Sequence, residues 1–158
     1  MDTLSKSAQS VQNALDKKGI QTKVVELPAS TRTAQDAAQA IGCQIDQIVK
    51  SLIFKTKDSN TPILVLASGP NRVNESMVES VVGEKITKAD ADFTREVTGF
   101  AIGGIPPIGH KKIIKTFIDE DLMKFKELWA AAGTPNAVFC LKNNDLQSLT
   151  NGIIITIH

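Results

Sequence analysis

The sequence has 158 residues, of which 42% are apolar and 22% charged, with a formal net charge of +1. This length suits one domain, expected over residues 1–158, whose core needs no disulfide or metal staple. With the charge so close to zero, RNA contact has to rest on a local patch, and DNA binding is not expected.

Six Phe, one Trp and no Tyr argue against a stacking platform for single strands. No apolar run approaches the ~20 residues that span a bilayer, so no membrane contact is expected. Without a signal peptide, Cys43 and Cys140 read as reduced thiols of a cytoplasmic protein.

In chain order, residues 5–18 read as a helix that Ser5 or Ser7 can cap, with Ala8, Val11, Ala14 and Leu15 as its stripe and Gly19 as its stop. Thr22 to Leu27 reads as a strand. A second helix starts near Thr33, buries Ala34, Ala37, Ala38 and Ile41, and ends at Gly42. Gln47 to Thr56 and Pro62 to Ser68 form a β-rich pair joined by a turn at residues 58–60, hence a hairpin. Asn74 caps a helix over Glu75 to Val82, closed by Gly83, and Asp90 to Val97 is a further short helix.

A strand over Lys112 to Ile118 follows, then a short helical turn starting at residues 119–121. Glu127 to Ala132 and Ala137 to Leu141 are strands around the turn at residues 133–136. Asn143 is expected to cap a helix over Asp145 to Leu149, and Ile153 to Ile157 to close the sheet. Intermixed helices and hairpins predict an α+β fold with a mixed, largely antiparallel, barrel-like sheet wrapped by helices.

Two stretches carry the chemistry. Residues 99–110 (GFAIGGIPPIGH) combine four glycines, two consecutive prolines and a histidine, then Lys111, Lys112 and Lys115. Glycine lets a ligand approach the main chain, and proline fixes its own φ and restricts its predecessor, so the loop is stiff and shaped in advance. It misses the nucleotide-binding P-loop: His110 takes the lysine position, no hydroxyl follows, and Pro106 and Pro107 withhold two N–H donors. A tight connection between strands and a site where main-chain groups act both remain open.

The second stretch is residues 47–56, where alternation puts Lys50, Leu52 and Phe54 on one face and Val49, Ser51, Ile53 and Lys55 on the other. Lys50 is the odd member of an apolar face. It is either an edge lysine reaching solvent or a lysine aimed into a pocket as a ligand for an anion or hydroxyl.

Other chemistry is sparse. There is no Gly-x-Ser-x-Gly elbow and no metal-spaced pair of Cys or His, so neither metal nor cofactor is expected. The thiols lie in apolar contexts typical of inert cysteines, and the C-terminal His158 is expected to fray.

Five ordered motifs now bear a resemblance. Residues 31–34 (TRTA) running to Ala37 and Ala38, residues 48–52 (IVKSL), 69–73 (GPNRV) and 103–107 (GGIPP), and Ala132-Gly133 before a strand resemble the YbaK/prolyl-tRNA-synthetase-associated family. Its free-standing and inserted domains hydrolyse wrongly charged aminoacyl-tRNA.

The resemblance implies a pocket between the lysine strand and the GxxxP loop. Lys50 would bind the ribose or phosphate side of the terminal adenosine, and the main chain of Gly103, Gly104, Ile105 and Pro107 would hold the aminoacyl group and a water. Thr31, Thr33, Arg72, Pro106, Gly109, His110 and Gly133 would line the substrate. Partners would be the aminoacyl-tRNA acceptor end and an aminoacyl-tRNA synthetase.

Cysteine-removing members tend to carry Ser where Pro106 stands, and His110 resembles relatives acting on other small amino acids, alanine among them. Which amino acid is removed therefore stays open. Ile102, Ile105 and Ile108 are expected to narrow the side-chain space. Two other readings remain beside the deacylase: a binding module for tRNA acceptor ends or a synthetase, and a hydrolase of some other small ester.

Overall fold

Ser5 opens the first helix, its Oγ accepting the N–H of Ala8 at 3.3 Å in the computed structural model, which describes residues 3–158. This α1 (Lys6–Lys17) buries Ala8, Val11 and Leu15. Thr33 caps α2 (Ala34–Ile41), Asn74 caps α3 (Glu75–Val82) and Asp90 caps α4 (Ala91–Thr98), each with a side-chain oxygen on a first-turn N–H. Gly42, Gly83 and Gly99 end these three helices at positive φ, the conformation a helix stop requires and glycine adopts without strain.

The fifth helix, α5 (Asn143–Thr150), departs from expectation, because its cap position is Lys142, with no side-chain bond. Asn143 is the first helical residue, and its Nδ2 donates backwards to the carbonyl of Met123 at 3.1 Å.

Eight strands form one sheet: β1 (Val25–Glu26), β2 (Ile48–Thr56), β3 (Pro62–Ser68), β4 (Ile86–Lys88), β5 (Lys115–Asp119), β6 (Glu127–Ala131), β7 (Ala137–Lys142) and β8 (Ile153–Ile155). Their order is β1-β7-β6-β2-β3-β5-β8, and β4 adds to β2. The β1/β7, β6/β7, β2/β3 and β2/β4 ladders are antiparallel, and β2/β6, β3/β5 and β5/β8 are parallel. The sheet is mixed and mainly antiparallel, as expected.

Three strands are shorter than the sequence suggests, each for a visible reason. Before β1, the N–H of Val24 goes to Gln12 Oε1 at 2.7 Å and Thr22 Oγ1 donates to the carbonyl of Cys140 at 2.6 Å, so side chains replace the ladder there. Before β5, the N–H groups of Lys111 and Lys112 serve the carbonyls of Thr98 and Val97 at the end of α4. After β8, the carbonyl of Ile157 accepts the N–H of Asn74 at 2.7 Å, which draws the tail toward the α3 cap. The three-residue β4 and a 3-10 turn over Ile45–Gln47 were not expected from the sequence.

The two faces of β2 enter different packing. Val49 and Ile53 join the main core with Val11, Leu15, Ile105 and Phe139, whereas Ile48 packs on Ala37 and Ala38 of α2. Phe54 packs with Ile63, Phe117 and Val78. The β2/β6 ladder has only two residue pairs, Ile48 with Trp129 and Val49 with Ala130. Past Val49 the two strands part, and the next residue is Lys50.

Candidate active site

Where β2 and β6 part, a cavity of about 640 Å³ opens between α2, these strands and the glycine–proline loop. That volume is in the usual range of ligand sites. Ala37, Ile41, Ile45, Leu52 and Trp129 give it apolar walls, and Thr31, Arg32, Thr33 and Lys50 bring polar groups to its lining.

Lys50 lines the cavity half-buried, and its Nζ donates to the main-chain oxygen of Asn71 at 2.6 Å. Burial pushes its pKa below the usual lysine value, nearby Arg72 and Lys88 push the same way, and Asp119 opposes them. Lys50 is therefore not a solvent-facing edge lysine.

The loop has a layered construction. Gly103, at φ +100°, lines the cavity, and a Cβ there would meet the Arg32 side chain at 3.3 Å. Gly104 lies behind it: its N–H donates to the carbonyl of Ala101 at 3.3 Å, and its own carbonyl accepts the N–H of Gly133 at 2.8 Å. A Cβ on Gly104 would stand 2.8 Å from main-chain atoms of Thr134. Ile105 returns to the cavity lining. The N–H groups of Gly103 and Ile105 therefore have no protein partner among the described residues, whereas that of Gly104 is used.

Of the residues anticipated from sequence, Lys50, Gly103, Ile105, Thr31 and Thr33 share the cavity lining. Gly104, Pro106, Pro107 and Gly133 do not line it. Gly104 and Gly133 join the loop to the β6–β7 turn, and Pro106 and Pro107 are buried. Thr31 donates through both N–H and Oγ1 to the carbonyl of Pro135, at 2.6 and 3.0 Å, which fixes the approach to α2.

Gly109 faces α1, where a Cβ would touch Ala14 at 3.4 Å. His110 Nε2 lies 2.6 Å from the carbonyl of Pro106; a carbonyl only accepts, so Nε2 carries the proton. Burial lowers the His110 pKa, with the Pro106 bond acting against it. Arg72 is exposed on the turn that holds Asn71. Ile108 is buried in the core rather than narrowing the cavity, so the expected isoleucine trio reduces to Ile102 and Ile105.

Sequence reasoning missed several features of the site: Trp129 and Arg32 in the lining, and Ser51. Among the described residues, Ser51 Oγ is a buried side-chain oxygen without a hydrogen-bond partner, on a residue that lines the cavity. Its signal in the sequence was only a small polar residue next to the lysine. His158, expected to fray, lies with Nε2 2.9 Å from Asp121 Oδ2. No helix among the described residues is long and apolar enough to cross a membrane.

The sequence model for the aminoacyl-tRNA editing domain matches residues 28–149. The chain belongs to this family. Over 144 residues it is 26% identical to the protein YwhH of Bacillus subtilis, covering 91% of each chain. It is 33% identical over 94 residues to the proline–tRNA ligase of Limosilactobacillus fermentum, a match of 57% of this chain and 16% of the ligase.

A solved structure described as "a putative trans-editing enzyme for prolyl tRNA synthetase" superposes with a TM-score of 0.92 at 46% identity, covering 98% of both chains. The chain is accordingly an editing domain of the aminoacyl-tRNA deacylase class, an ester hydrolase. The resemblance drawn from the five motifs is borne out, as is the α+β fold.

Proposed function

We propose that residues 1–158 form one cytoplasmic editing domain, acting in trans, that removes a small, wrongly attached amino acid from tRNA(Pro). It works beside a prolyl-tRNA synthetase on the acceptor end. The carrying observation is that one cavity is lined both by the half-buried Lys50 and by Gly103 and Ile105, whose N–H groups have no partner among the described residues. The similarity to proline–tRNA ligases and to the trans-editing structure supports the choice of tRNA.

The substrate is an activated ester, so no strong protein nucleophile is needed. Lys50 binds the ribose or phosphate side of the terminal adenosine, and its position places the ester carbonyl toward the loop. A water adds to the carbonyl carbon, and the oxyanion that forms accepts hydrogen bonds from the Gly103 and Ile105 N–H groups. The bond to the ribose oxygen then breaks; the water's hydroxyl stays on the amino acid and its remaining proton goes to the ribose.

The cavity is larger than a small aminoacyl group and has apolar walls, so selection rests on fit near the loop and is graded. A methylene there is worth about 1–3 kcal/mol. Alanine, serine and cysteine esters are expected to be cleaved, and cognate prolyl-tRNA(Pro) to be spared.

A deacylation assay with tRNA(Pro) charged in turn with Ala, Ser, Cys and Pro tests this. Lys50→Ala should lower the rate about a hundredfold, the cost of a misplaced substrate, without changing the melting temperature greatly. Cognate prolyl-tRNA as the best substrate would overturn the assignment, and binding without hydrolysis of any ester would make the chain a capture module.

A further inference from the structure

Asp119 ends β5 with none of its surface exposed. A carboxyl at such depth needs several donors. Its Oδ2 accepts the N–H of Ser68 at 3.0 Å and Asn71 Nδ2 at 2.8 Å, and its Oδ1 accepts the N–H of Asp121 at 3.0 Å. Asn71 Nδ2 also reaches Asp121 Oδ2 at 2.8 Å, while the Asn71 N–H donates to the carbonyl of Ser68 at 2.9 Å. The turn after β3 is thus clamped to the end of β5, and the carbonyl of this same Asn71 receives Lys50 Nζ at 2.6 Å. Neither Asp119 nor Asn71 lines the cavity.

We propose that Asp119, acting through Asn71, is the positioning residue that fixes where the Lys50 ammonium stands on the cavity wall. The proposal rests on the reading of Lys50 as a substrate-binding group. A lysine head on four flexible bonds loses rotamer freedom whenever it is held in one place. One hydrogen bond orients it only if the acceptor is itself held, and the Asn71 carbonyl belongs to a turn held by its own side chain.

The charges agree with this geometry. Lys50 faces the cations Arg72, on the turn, and Lys88, on β4, with Asp119 as the opposing anion. Asp121 lies next to Asp119 but is engaged by Lys124 and His158, each at 2.9 Å. Among the described residues, Asp119 has only neutral donors as hydrogen-bond partners.

The test uses the full chain, alanyl-tRNA(Pro) as the probe, and the variants Asp119→Asn, Asn71→Ala and Lys50→Ala. Ester lability at high pH blocks a kinetic alkaline profile, so the Lys50 titration is followed by NMR of its side-chain carbon, assigned by comparison with Lys50→Ala.

Asp119→Asn and Asn71→Ala should keep a cooperative melt and lose about ten- to a hundredfold in kcat/KM, the cost of a small misplacement. Asp119→Asn should also move the Lys50 midpoint to lower pH. Wild-type activity in either folded variant, or lost activity with the Lys50 midpoint in place in Asp119→Asn, overturns the proposal. If Asp119→Asn does not fold, Asn71→Ala decides by its kcat/KM. Full activity in Lys50→Ala defeats the reading of Lys50 itself, whatever the other variants do.

Discussion

His110 braces the loop by donating through Nε2 to the carbonyl of Pro106 four residues earlier, at 2.6 Å, from a position outside the cavity lining. Pro106 cannot donate in return, so the loop's shape here depends on the imidazole. Glutamine can supply an N–H of similar reach, and His110→Gln should cost much less deacylation than Lys50→Ala. Rates of both variants on one mischarged tRNA decide it; a histidine change more damaging than the lysine change would place His110 at the reacting atoms.

The same histidine gives a pH signature. Burial lowers its folded pKa beneath the usual 6.5, so the unfolded chain binds the proton more tightly. The stability tied to the neutral ring is complete above pH 6.5 and is lost as the pH falls from there through the folded value. Stability of the wild type relative to His110→Gln should therefore decline as pH drops below 6.5. Denaturant titrations of both proteins across that window measure it, and a constant difference would refute it.

Gly104 is the loop position where a side chain has no room. A methyl there would stand 2.8 Å from the Thr134 main chain, which cannot rotate away as a side-chain tip can. Gly104→Ala should push the loop off the β6–β7 turn, destabilise the fold by about 1–3 kcal/mol, and slow deacylation by displacing Gly103 and Ile105. Gly109→Ala should cost stability through its positive φ of 80° but leave the cavity side of the loop in place. Equal loss of activity in the two folded variants would contradict this layering.

Local signals explain what was legible in the sequence. Ser5, Thr33 and Asn74 sit before apolar-periodic runs, and Gly42 and Gly83 follow the last two, so these helices were readable with their starts and stops, whereas α4 was readable only as a short helix. Strands β2 and β3 are long enough to show their pattern; β4, at three residues, carries no periodicity to read, and β1 was read too long because side chains replace the ladder before Val25. At the site, Lys50, Gly103 and Thr33 belong to short motifs. The clamp on Lys50 joins Asn71 to Asp119 across 48 positions, and only the parallel β3/β5 pairing brings them together. Trp129 likewise enters the cavity through its register with Ile48.

RNA affinity should be modest and salt-sensitive. Arg72, Lys111, Lys112 and Lys115 are exposed and Lys50 is half-buried, which allows only a few phosphate contacts. The slope of log affinity against log salt should be about −2 to −4. Changing Lys111 and Lys112 together to Ala should make it shallower by about 1–2. Filter binding between 50 and 200 mM salt, roughly the range over which this effect is read, measures it; a flat response would show that the chain is recruited by a protein partner instead.

A buried hydroxyl with no partner costs about 1–3 kcal/mol, and Ser51 Oγ, next to the lysine, has none among the described residues. A site kept for stability alone gains by losing the hydroxyl. Ser51→Ala should therefore melt no earlier than the wild type, and later by an amount worth up to about 1 kcal/mol. If the hydroxyl serves the reaction, the same change should lower kcat/KM several-fold, because the substrate or its water then loses a hydrogen bond. A stabilised variant with reduced turnover is the expected pair of results from thermal melts and the deacylation assay. Lower stability would mean that Ser51 Oγ is satisfied in the folded protein, and unchanged turnover would remove it from the site.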